Sequence, residues 1–460
     1  MGGFALGLDM ISFRFPSLAA TAVLFTSTAC FDPNDVPAQP TVLGTATDTD
    51  ESGAVATGAT DTIDDSAGVT SATPTTASGG TNDSVTGGPT GGPTGEDTST
   101  GSTEGPPAMC DDGVVSPGEV CLGPIAMLPS PAADFLFGAD FNGDGDADLL
   151  SATDQDATLH VGDGAGGFTA QPSFDTVPSI GTGNVVVVDV NADGALDLIV
   201  NGTASAITTF LGNGDGTFSQ AATVSLDDIG NAGGMAPADF DGDGLLDLFV
   251  LRSVGFNYAF GQGAGNGSFT FSAAASIEGS GPLAWGDFDG DALPDVLVGQ
   301  PNRDVIAFVR GGGDGTFIVT DIPVGLEVIG GRAATTDLND DGIADAAFPR
   351  SASDDVLLFI GGAGGPAAPV ELDAVGEPRS ALFADLTNNG HDDLVTCGRG
   401  VLASISVWAA DGTTVLEEPE HFSATPCVQL AVGDFNGDGA GDVAYHSGSV
   451  DGLRVMLAQP

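Results

Sequence analysis

Carboxylates that recur in one fixed spacing are the residues of this chain best suited to chemistry. Residues 140–149 read Asp-Phe-Asn-Gly-Asp-Gly-Asp-Ala-Asp-Leu, with oxygen-bearing side chains at positions one, three, five and nine and an apolar residue at position ten. Alternating oxygen side chains around a tight turn are the way in which a single loop wraps a hard cation such as Ca²⁺. The loop recurs at intervals of 48 to 50 residues, and its seven copies, loops 1 to 7, begin at Asp140, Asp189, Asp239, Asp287, Asp337, Asp385 and Asp434.

Position twelve distinguishes these loops from the helix-loop-helix calcium loop. That loop is completed by a bidentate Glu at position twelve. The seven loops have no carboxylate there, since the residues are Ser151, Val200, Val250, Val298, Phe348, Thr396 and Tyr445. A helix-loop-helix calcium protein is therefore excluded, and we predict that the Asp at position nine closes the ligand shell instead.

The predicted calcium ligands are the side chains at positions one, three, five and nine and the backbone carbonyl at position seven, for up to seven ions. Loop 4 has Ala292 where the other loops have a turn Gly, and loop 6 has only two carboxylates at the side-chain positions. Because fewer charges bind calcium more weakly, we expect loop 3 to be the tightest site and loop 6 the weakest. The predicted ligands are Asp140, Asn142, Asp144, Asp146, Asp148; Asp189, Asn191, Asp193, Ala195, Asp197; Asp239, Asp241, Asp243, Leu245, Asp247; Asp287, Asp289, Asp291, Leu293, Asp295; Asp337, Asn339, Asp341, Ile343, Asp345; Asp385, Thr387, Asn389, His391, Asp393; and Asp434, Asn436, Asp438, Ala440, Asp442.

The charge balance restricts the partners of the chain. There is no Lys, and nine Arg stand against 64 acidic residues, for a formal charge of −55. A polyanion of this size is repelled by nucleic acid and by anionic membrane surfaces. We therefore predict no nucleic-acid partner, and calcium bound in the loops would offset part of the charge.

The N-terminal segment, residues 1–29, is predicted to be an export signal. Arg14 precedes a mostly apolar run, and small residues lead into Cys30. Small residues before a Cys resemble the bacterial lipoprotein box, which implies lipidation of Cys30, although Ser27 stands where that box prefers Leu. An ordinary signal peptide or a short membrane anchor is the alternative. We expect an exported chain, either an outer-membrane or cell-surface lipoprotein that touches the membrane through its lipid only, or a secreted protein.

Residues 30–109 are dominated by Thr, Gly, Ser, Asp, Ala and Pro. Such a segment has too few large apolar side chains to offset its conformational entropy by burial. We predict a low-complexity disordered linker.

Four further Cys form two near pairs. Residues 110–121 resemble the short Cys-rich repeat of myxobacterial secreted and surface proteins, which implies a Cys110–Cys121 disulfide; a metal-binding thiol pair is the alternative. Cys397 and Cys427 flank the junction between the sixth and seventh repeats, where either a disulfide or two separate core thiols would fit. Pairing of thiols is expected in an exported chain.

From residue 122 to residue 460, each repeat contains four short β-rich runs and no helical period. Four-stranded units of about 50 residues arranged in a ring predict an all-β, seven-bladed β-propeller, which we expect to be a monomer. The sequence after loop 7 has only two β-rich runs, 443–446 and 453–457, so it lacks the fourth strand of blade seven. We predict that the spare run 122–128 closes the ring as that strand.

These repeats resemble the FG-GAP (VCBS-type) family. The resemblance lies in the Asp-Phe-Asn-Gly-Asp-Gly-x-x-Asp-Leu loop, in Phe137-Gly138, and in Gly-Met-Ala-Pro at 234–237. The family builds the seven-bladed propeller of integrin α chains and of many bacterial surface proteins. The resemblance implies that calcium binds in the loop between the first two strands of each blade. It also implies non-catalytic binding or adhesion to an extracellular protein or glycan through the opposite face, where Asn257 and Tyr258 are candidates.

Two other function classes stay open. Calcium propellers of this type occur in polysaccharide lyases, and a carbohydrate-active enzyme would need a cluster of positive charge. A purely structural envelope protein is the third possibility. The four His residues (His160, His391, His421 and His446) are scattered over different repeats. The backbone carbonyl of His391 is the predicted position-seven ligand of loop 6, and the other three fit a surface placement. No catalytic residue or organic cofactor site is predicted. The arginines that would have to form a lyase cluster are Arg252, Arg303, Arg310, Arg332 and Arg350.

Overall fold

A computed structural model gives the fold of this chain. All residues that it describes belong to one of the two units into which the chain divides, Met1–Pro33 with Gly105–Pro460. The predicted lipidation site Cys30, the predicted linker 30–109, Cys110 and nearly all of the predicted signal 1–29 lie outside the described residues. The described residues are 25–26, 120–123, 125–130, 133–153, 155–176, 185–202, 206–226, 232–252, 257–272, 275–277, 281–300, 303–325, 331–399, 404–414, 416, 419–424, 426–446 and 452–459.

Within the described residues the chain forms only strands and no helix. The first strands are β1 (Phe25–Thr26), β2 (Ala126–Leu128), β3 (Phe135–Ala139), β4 (Asp148–Ala152), β5 (Asp156–Gly162), β6 (Phe168–Ala170), β7 (Phe174–Asp175), β8 (Val185–Val188), β9 (Asp197–Gly202), β10 (Ala206–Gly212), β11 (Phe218–Ser225), β12 (Ala232–Ala238), β13 (Asp247–Arg252), β14 (Asn257–Gly263), β15 (Phe269–Phe271) and β16 (Ala275–Ser276). They are followed by β17 (Leu283–Gly286), β18 (Asp295–Gln300), β19 (Val305–Gly311), β20 (Phe317–Pro323), β21 (Ala334–Thr336), β22 (Asp345–Arg350), β23 (Asp355–Phe359), β24 (Val370–Asp373), β25 (Pro378–Ala384), β26 (Asp393–Gly398), β27 (Ser404–Trp408), β28 (Glu420–Ser423), β29 (Gln429–Gly433), β30 (Asp442–His446) and β31 (Leu453–Met456).

These strands make seven antiparallel, four-stranded blades arranged in a ring, so the predicted β-propeller is confirmed. The blades, from inner to outer strand, are β3-β4-β5-β6, β8-β9-β10-β11, β12-β13-β14-β15, β17-β18-β19-β20, β21-β22-β23-β24, β25-β26-β27-β28 and β29-β30-β31-β2. Strands β7 and β16 pair with the third strands of blades 1 and 3, β5 and β14, and β1 pairs with β8. Strands at the second position of each blade are buried on both faces because neighbouring blades cover them, which explains their continuous apolar runs.

Strand β2 closes the ring as predicted. Ala126–Leu128 pairs antiparallel with the last strand of blade seven, β31. Upstream of it, Leu122 forms an isolated bridge with Ala458, and the Gly123 N–H donates to the Leu457 carbonyl at 2.6 Å. The outermost strand of blade seven therefore comes from the segment that precedes blade one, and both ends of the propeller share one sheet.

Neighbouring blades are joined by aromatic packing around the acidic loops. The Phe at the turn between the third and fourth strands of one blade packs edge-on against the residue at position two in the loop of the preceding blade. Ring centroids lie 5.4 Å apart for Phe168 on Phe435 and for Phe317 on Phe240, and 6.2 Å apart for Phe218 on Phe141. Edge-to-face pairs of this kind are favourable beyond their buried area. The turn Phe, which in the sequence only marks the repeat, thus locks consecutive blades together.

Two covalent expectations have different outcomes. Cys397 and Cys427 form a disulfide with a Cα–Cα distance of 5.6 Å, which ties blade six to the start of blade seven. Cys121 is also disulfide-bonded, but Cys110 lies outside the described residues, so the 110–121 pair stays a prediction. Across the described ranges, no helix has the length and hydrophobicity needed to cross a membrane.

Candidate metal loops

Each acidic loop joins the first and second strands of its blade, as the resemblance implied. The Asp at position nine is always the first residue of the second strand and is fully buried. Adjacent loops touch: His391 Nδ1 of loop 6 lies 3.0 Å from Asp340 Oδ2 of loop 5, and Asn388 Nδ2 donates to the Asp438 carbonyl of loop 7 at 3.4 Å. Loops 5, 6 and 7 therefore share one rim of the ring.

The carboxylate at position nine accepts at least two backbone hydrogen bonds in every blade, and a third from position three in loops 3 and 6. Its Oδ2 accepts from the N–H of position two in the same loop, at 2.8 to 3.1 Å. Its Oδ1 accepts from the N–H at the end of the third strand or just after it, at 2.6 to 2.8 Å. Position nine, predicted only as a metal ligand, therefore also pins the loop to the third strand of its own blade.

Positions one and five shape the turn. The Oδ2 of position one accepts from the N–H of position six at 2.7 to 3.0 Å in all seven loops. The Oδ1 of position five, Asp or Asn, accepts from the N–H of position seven at 2.8 to 3.0 Å. Each loop is thus folded around its own side-chain oxygens, which converge on its interior.

Two backbone positions in every loop are left-handed. Position six has φ between 84° and 94° where it is Gly, and 66° at Ala292, where a left-handed backbone is strained because the residue has a Cβ. Position four is also left-handed in all seven loops, including the non-Gly residues Ala192, Asp340 and Asn388. The left-handed conformation of position four was not predicted, although the frequency of Gly, Asn and Asp there is the signal that could have revealed it.

Burial makes the charged form of the position-nine carboxylates unfavourable in the absence of a cation. Desolvation raises the pKa of Asp148, Asp197, Asp345 and Asp393 to about 6, although the backbone N–H groups that donate to each carboxylate lower it. The same cause raises the pKa of Asp295 and Asp442 to about 7 and also raises that of Asp247. A bound dication would favour the charged form, so metal binding and loop stability are coupled.

Loops 3 and 4 bring their acidic side chains closest to the arrangement that a metal needs. In loop 3, oxygens of Asp239, Asp241 and Asp247 lie within 4.8 Å of one another. The equivalent positions one, three and nine of loop 4 form the same cluster. All the donors are oxygen atoms, which fit a hard cation such as Ca²⁺ and not a soft metal. Position five, also predicted as a ligand, is outside both three-carboxylate clusters.

Loop 4 contains a second, unpredicted feature. The Arg310 side chain reaches into it from β19, with Nη2 at 2.8 Å from Asp291 Oδ2 and Nε in contact with Asp289 Oδ2. In loop 3 the equivalent residue is Gln262, whose Nε2 donates to Asp241 Oδ2 at 2.6 Å. The third strand therefore supplies a polar partner to the extra carboxylate at position three in both loops.

The arginines named as a hypothetical lyase cluster have separate partners. Arg303 pairs with Asp321 at 2.9 Å, and Arg310 contacts loop 4. Arg350 is buried against Asp355 at the end of β22. Arg332 is buried among inner strands, where its Nη1 donates to the Leu430 carbonyl at 3.1 Å. The structure therefore does not gather these four side chains around one site.

Three residues that are expected to be exposed are buried instead, so these predictions are wrong. His160 and His446 are buried, and His160 Nε2 lies 3.0 Å from the Ser151 hydroxyl. Tyr258, named as a candidate on the opposite face, is buried and stacks on Phe249 with ring centroids 4.8 Å apart. Tertiary packing that the repeat period does not encode decides these positions.

Comparison with known proteins supports the repeat assignment. A family described as FG-GAP-like repeat matches residues 140–200 and 189–250, which span loops 1 to 3. No curated protein sequence matches the chain. Solved structures similar to it include BBS1N in complex with ARL6DN, soaked with mercury, at 13% identity and a TM-score of 0.50, covering 72% of this chain and 92% of that one. The same complex soaked with lead is similar at 12% identity and a TM-score of 0.51, covering 74% and 96%. At such identities the likeness concerns the fold.

Proposed function

We propose that this chain is a calcium-binding propeller that serves as a non-catalytic binding or adhesion module for an extracellular protein or glycan. The observation that carries the proposal is the loop geometry: a buried Asp stands at position nine in all seven loops, and in loops 3 and 4 its oxygens lie within 4.8 Å of those of positions one and three. Calcium would be held by the side chains of positions one, three, five and nine and the carbonyl of position seven. Its role would be to neutralise these acids and stabilise each loop.

The binding role is supported by the fold. FG-GAP-like repeats match the first part of the propeller, and BBS1N, similar in fold, is in complex with the partner ARL6DN in its structures. Anchoring at the outer membrane or cell surface through a lipid on Cys30 belongs to the same proposal, with secretion as the alternative. The separate partners of the four arginines support a non-catalytic role over a lyase.

Calcium titration of the purified full chain tests the metal part of the proposal. We expect several ions per chain, up to seven, and a lower melting temperature in chelator than in calcium. A chain that binds no calcium and melts at the same temperature in both conditions would refute it. A glycan array together with a lyase assay tests the other part: glycan retention without cleavage supports a binding module, and cleavage would make the chain an enzyme.

A further inference from the structure

The loops differ in how their position-three residue is matched by the third strand. Loops 3 and 4 have Asp at position three, and the third-strand residue facing them is a polar donor, Gln262 or Arg310. In the other five loops position three is Asn or Thr, and the corresponding third-strand residue is apolar. These residue pairs are Asn142 with Val161, Asn191 with Leu211, Asn339 with Ile360, Thr387 with Ala409, and Asn436 with Leu457.

Arg310 makes a forked contact that no other loop has among the described residues. Its guanidinium spans the carboxylates of positions three and five, Asp289 and Asp291. The Asp289 side chain is only 1% exposed, whereas Arg310 is 45% exposed and covers it from the solvent side. A planar guanidinium suits two carboxylates held in this way, and its charge is permanent.

In loops 1, 2 and 7 the second oxygen of position five is bridged differently. There the Asn side chain at position three donates to it, at 2.8 to 2.9 Å. Loop 4 has lost that donor because its position three is Asp, and Arg310 bridges the two carboxylates instead. Arg310 thus contacts two carboxylates that are predicted calcium ligands, and it supplies the positive charge that the loop otherwise lacks.

We propose that Arg310 is the built-in counter-cation of loop 4, which lowers the calcium affinity of that loop below that of loop 3 and holds the loop together when no ion is present. This inference rests on the proposed function, since it ranks sites within a calcium-binding propeller. It separates two loops that charge counting alone makes equal, because loops 3 and 4 have the same four carboxylates but only loop 4 has a positive side chain in place.

The test is calcium titration of the full chain with Arg310→Gln, which gives loop 4 the residue that blade 3 has beside Asp241. Arg310 is solvent-exposed, so its charge is partly screened, and its removal should tighten the affinity of loop 4 by about three- to tenfold. Arg303→Gln is the matched control. It removes one positive charge from the other end of β19, where Arg303 pairs with Asp321 at 2.9 Å, and should leave the affinity of loop 4 unchanged.

A double-substitution cycle identifies the loop responsible. Asp289→Asn should reverse most of the tightening that Arg310→Gln brings, because it removes a carboxylate that the Arg310 substitution frees for calcium. A second readout is the melting temperature in chelator, which Arg310→Gln should lower more than Arg303→Gln does, with calcium restoring it. Arg310→Leu, which copies the residue of blades 2 and 7, repeats the test with no donor.

The outcomes separate the two proposals. If the wild-type chain and all variants bind no calcium, the proposed function fails. If the wild-type chain binds calcium and Arg310→Gln neither tightens a site nor lowers the melt in chelator, the calcium proposal stands and the role given to Arg310 is overturned.

Discussion

The substitution Asp442→Asn tests whether position nine supports the blade independently of any metal. In the structure Asp442 Oδ1 accepts from the Ala458 N–H at 2.6 Å, and Oδ2 accepts from the Phe435 N–H at 2.8 Å. All three residues are fully or almost fully buried. Ala458 also forms the bridge to Leu122, so this carboxylate lies beside the closure of the ring.

The size of the effect follows from the hydrogen bonds. An Asn side chain can accept from only one of the two N–H groups, and its own amide N–H then faces the other. Two unsatisfied buried donors cost about 1–3 kcal/mol each. Removing a desolvated charge offsets part of this, because burial raises the pKa of Asp442 to about 7. We therefore expect the free energy of unfolding to fall by about 2–3 kcal/mol in chelator.

The measurement is urea unfolding in chelator, followed by the fluorescence of Trp285 and Trp408, which are both buried. The control is Asp438→Asn at position five of the same loop, an exposed side chain whose substitution should stay within about 0.5 kcal/mol. If Asp442→Asn matches this control in chelator and loses stability only in calcium, Asp442 acts through the ion alone. The structural role assigned to its two hydrogen bonds would then be wrong.

Three further predictions concern the seam, the backbone and pH. Leu122→Ala should destabilise the chain by about 2–5 kcal/mol in urea unfolding, because Leu122 is fully buried at the ring closure. Met127→Ala in the same segment should have little effect, since Met127 is 61% exposed. Equal effects of the two substitutions would contradict the closure. Ala292→Gly should stabilise by about 0.5–1 kcal/mol in the same assay, since relief of the left-handed strain exceeds the added chain entropy; a loss of stability would contradict this. Burial raises the pKa values of Asp295 and Asp442 to about 7, above the unfolded value of about 3.9. Between about pH 4 and 7 the folded chain without metal therefore binds more protons than the unfolded chain, and its stability falls as pH rises. In chelator the melting temperature should fall as pH rises through that window, and a rise would refute the sign.

The sequence predicted the architecture because its signals are local and repeated. The spacing of the acidic loops gave the number of blades, and the strand missing after β31 gave the closure by the run before β3. Both depend only on the order of residues along the chain. The sequence does not decide whether Cys397 and Cys427 form a disulfide, because whether the two thiols meet depends on how blade six packs against blade seven.

The parts of the site that sequence did not predict depend on which strand ends lie beside each loop. Arg310 is 19 residues beyond Asp291 in the chain, and only the return of β19 to the loop brings its guanidinium to that carboxylate. The second role of position nine has the same origin, since its Oδ1 is satisfied by a residue 14 to 17 positions away. The pairing of Asp241 with Gln262 also depends on how the third strand returns to the loop, because the two residues are 21 positions apart in the sequence.

Contacts between neighbouring blades explain how the ring stays closed although its repeats differ in sequence. Blades 1, 2 and 4 carry a turn Phe that packs on the loop of the preceding blade, at Phe435, Phe141 and Phe240. The corresponding turn of blade 5, at 361–365, and that of blade 6, at 411–414, contain no Phe.

Polar and covalent links stand at the junctions around blade 6 instead. Blades 5 and 6 are joined by the His391–Asp340 pair and by the Arg332 N–H, which donates to the Arg379 carbonyl at 2.8 Å. Blades 6 and 7 are joined by the disulfide. Since a loop held by position nine braces its own blade and contacts the next, an ion in one loop would stabilise two blades. The stabilisation of two blades by one ion should be strongest where the aromatic contact joins them, and the junctions of blade 6 should depend least on calcium.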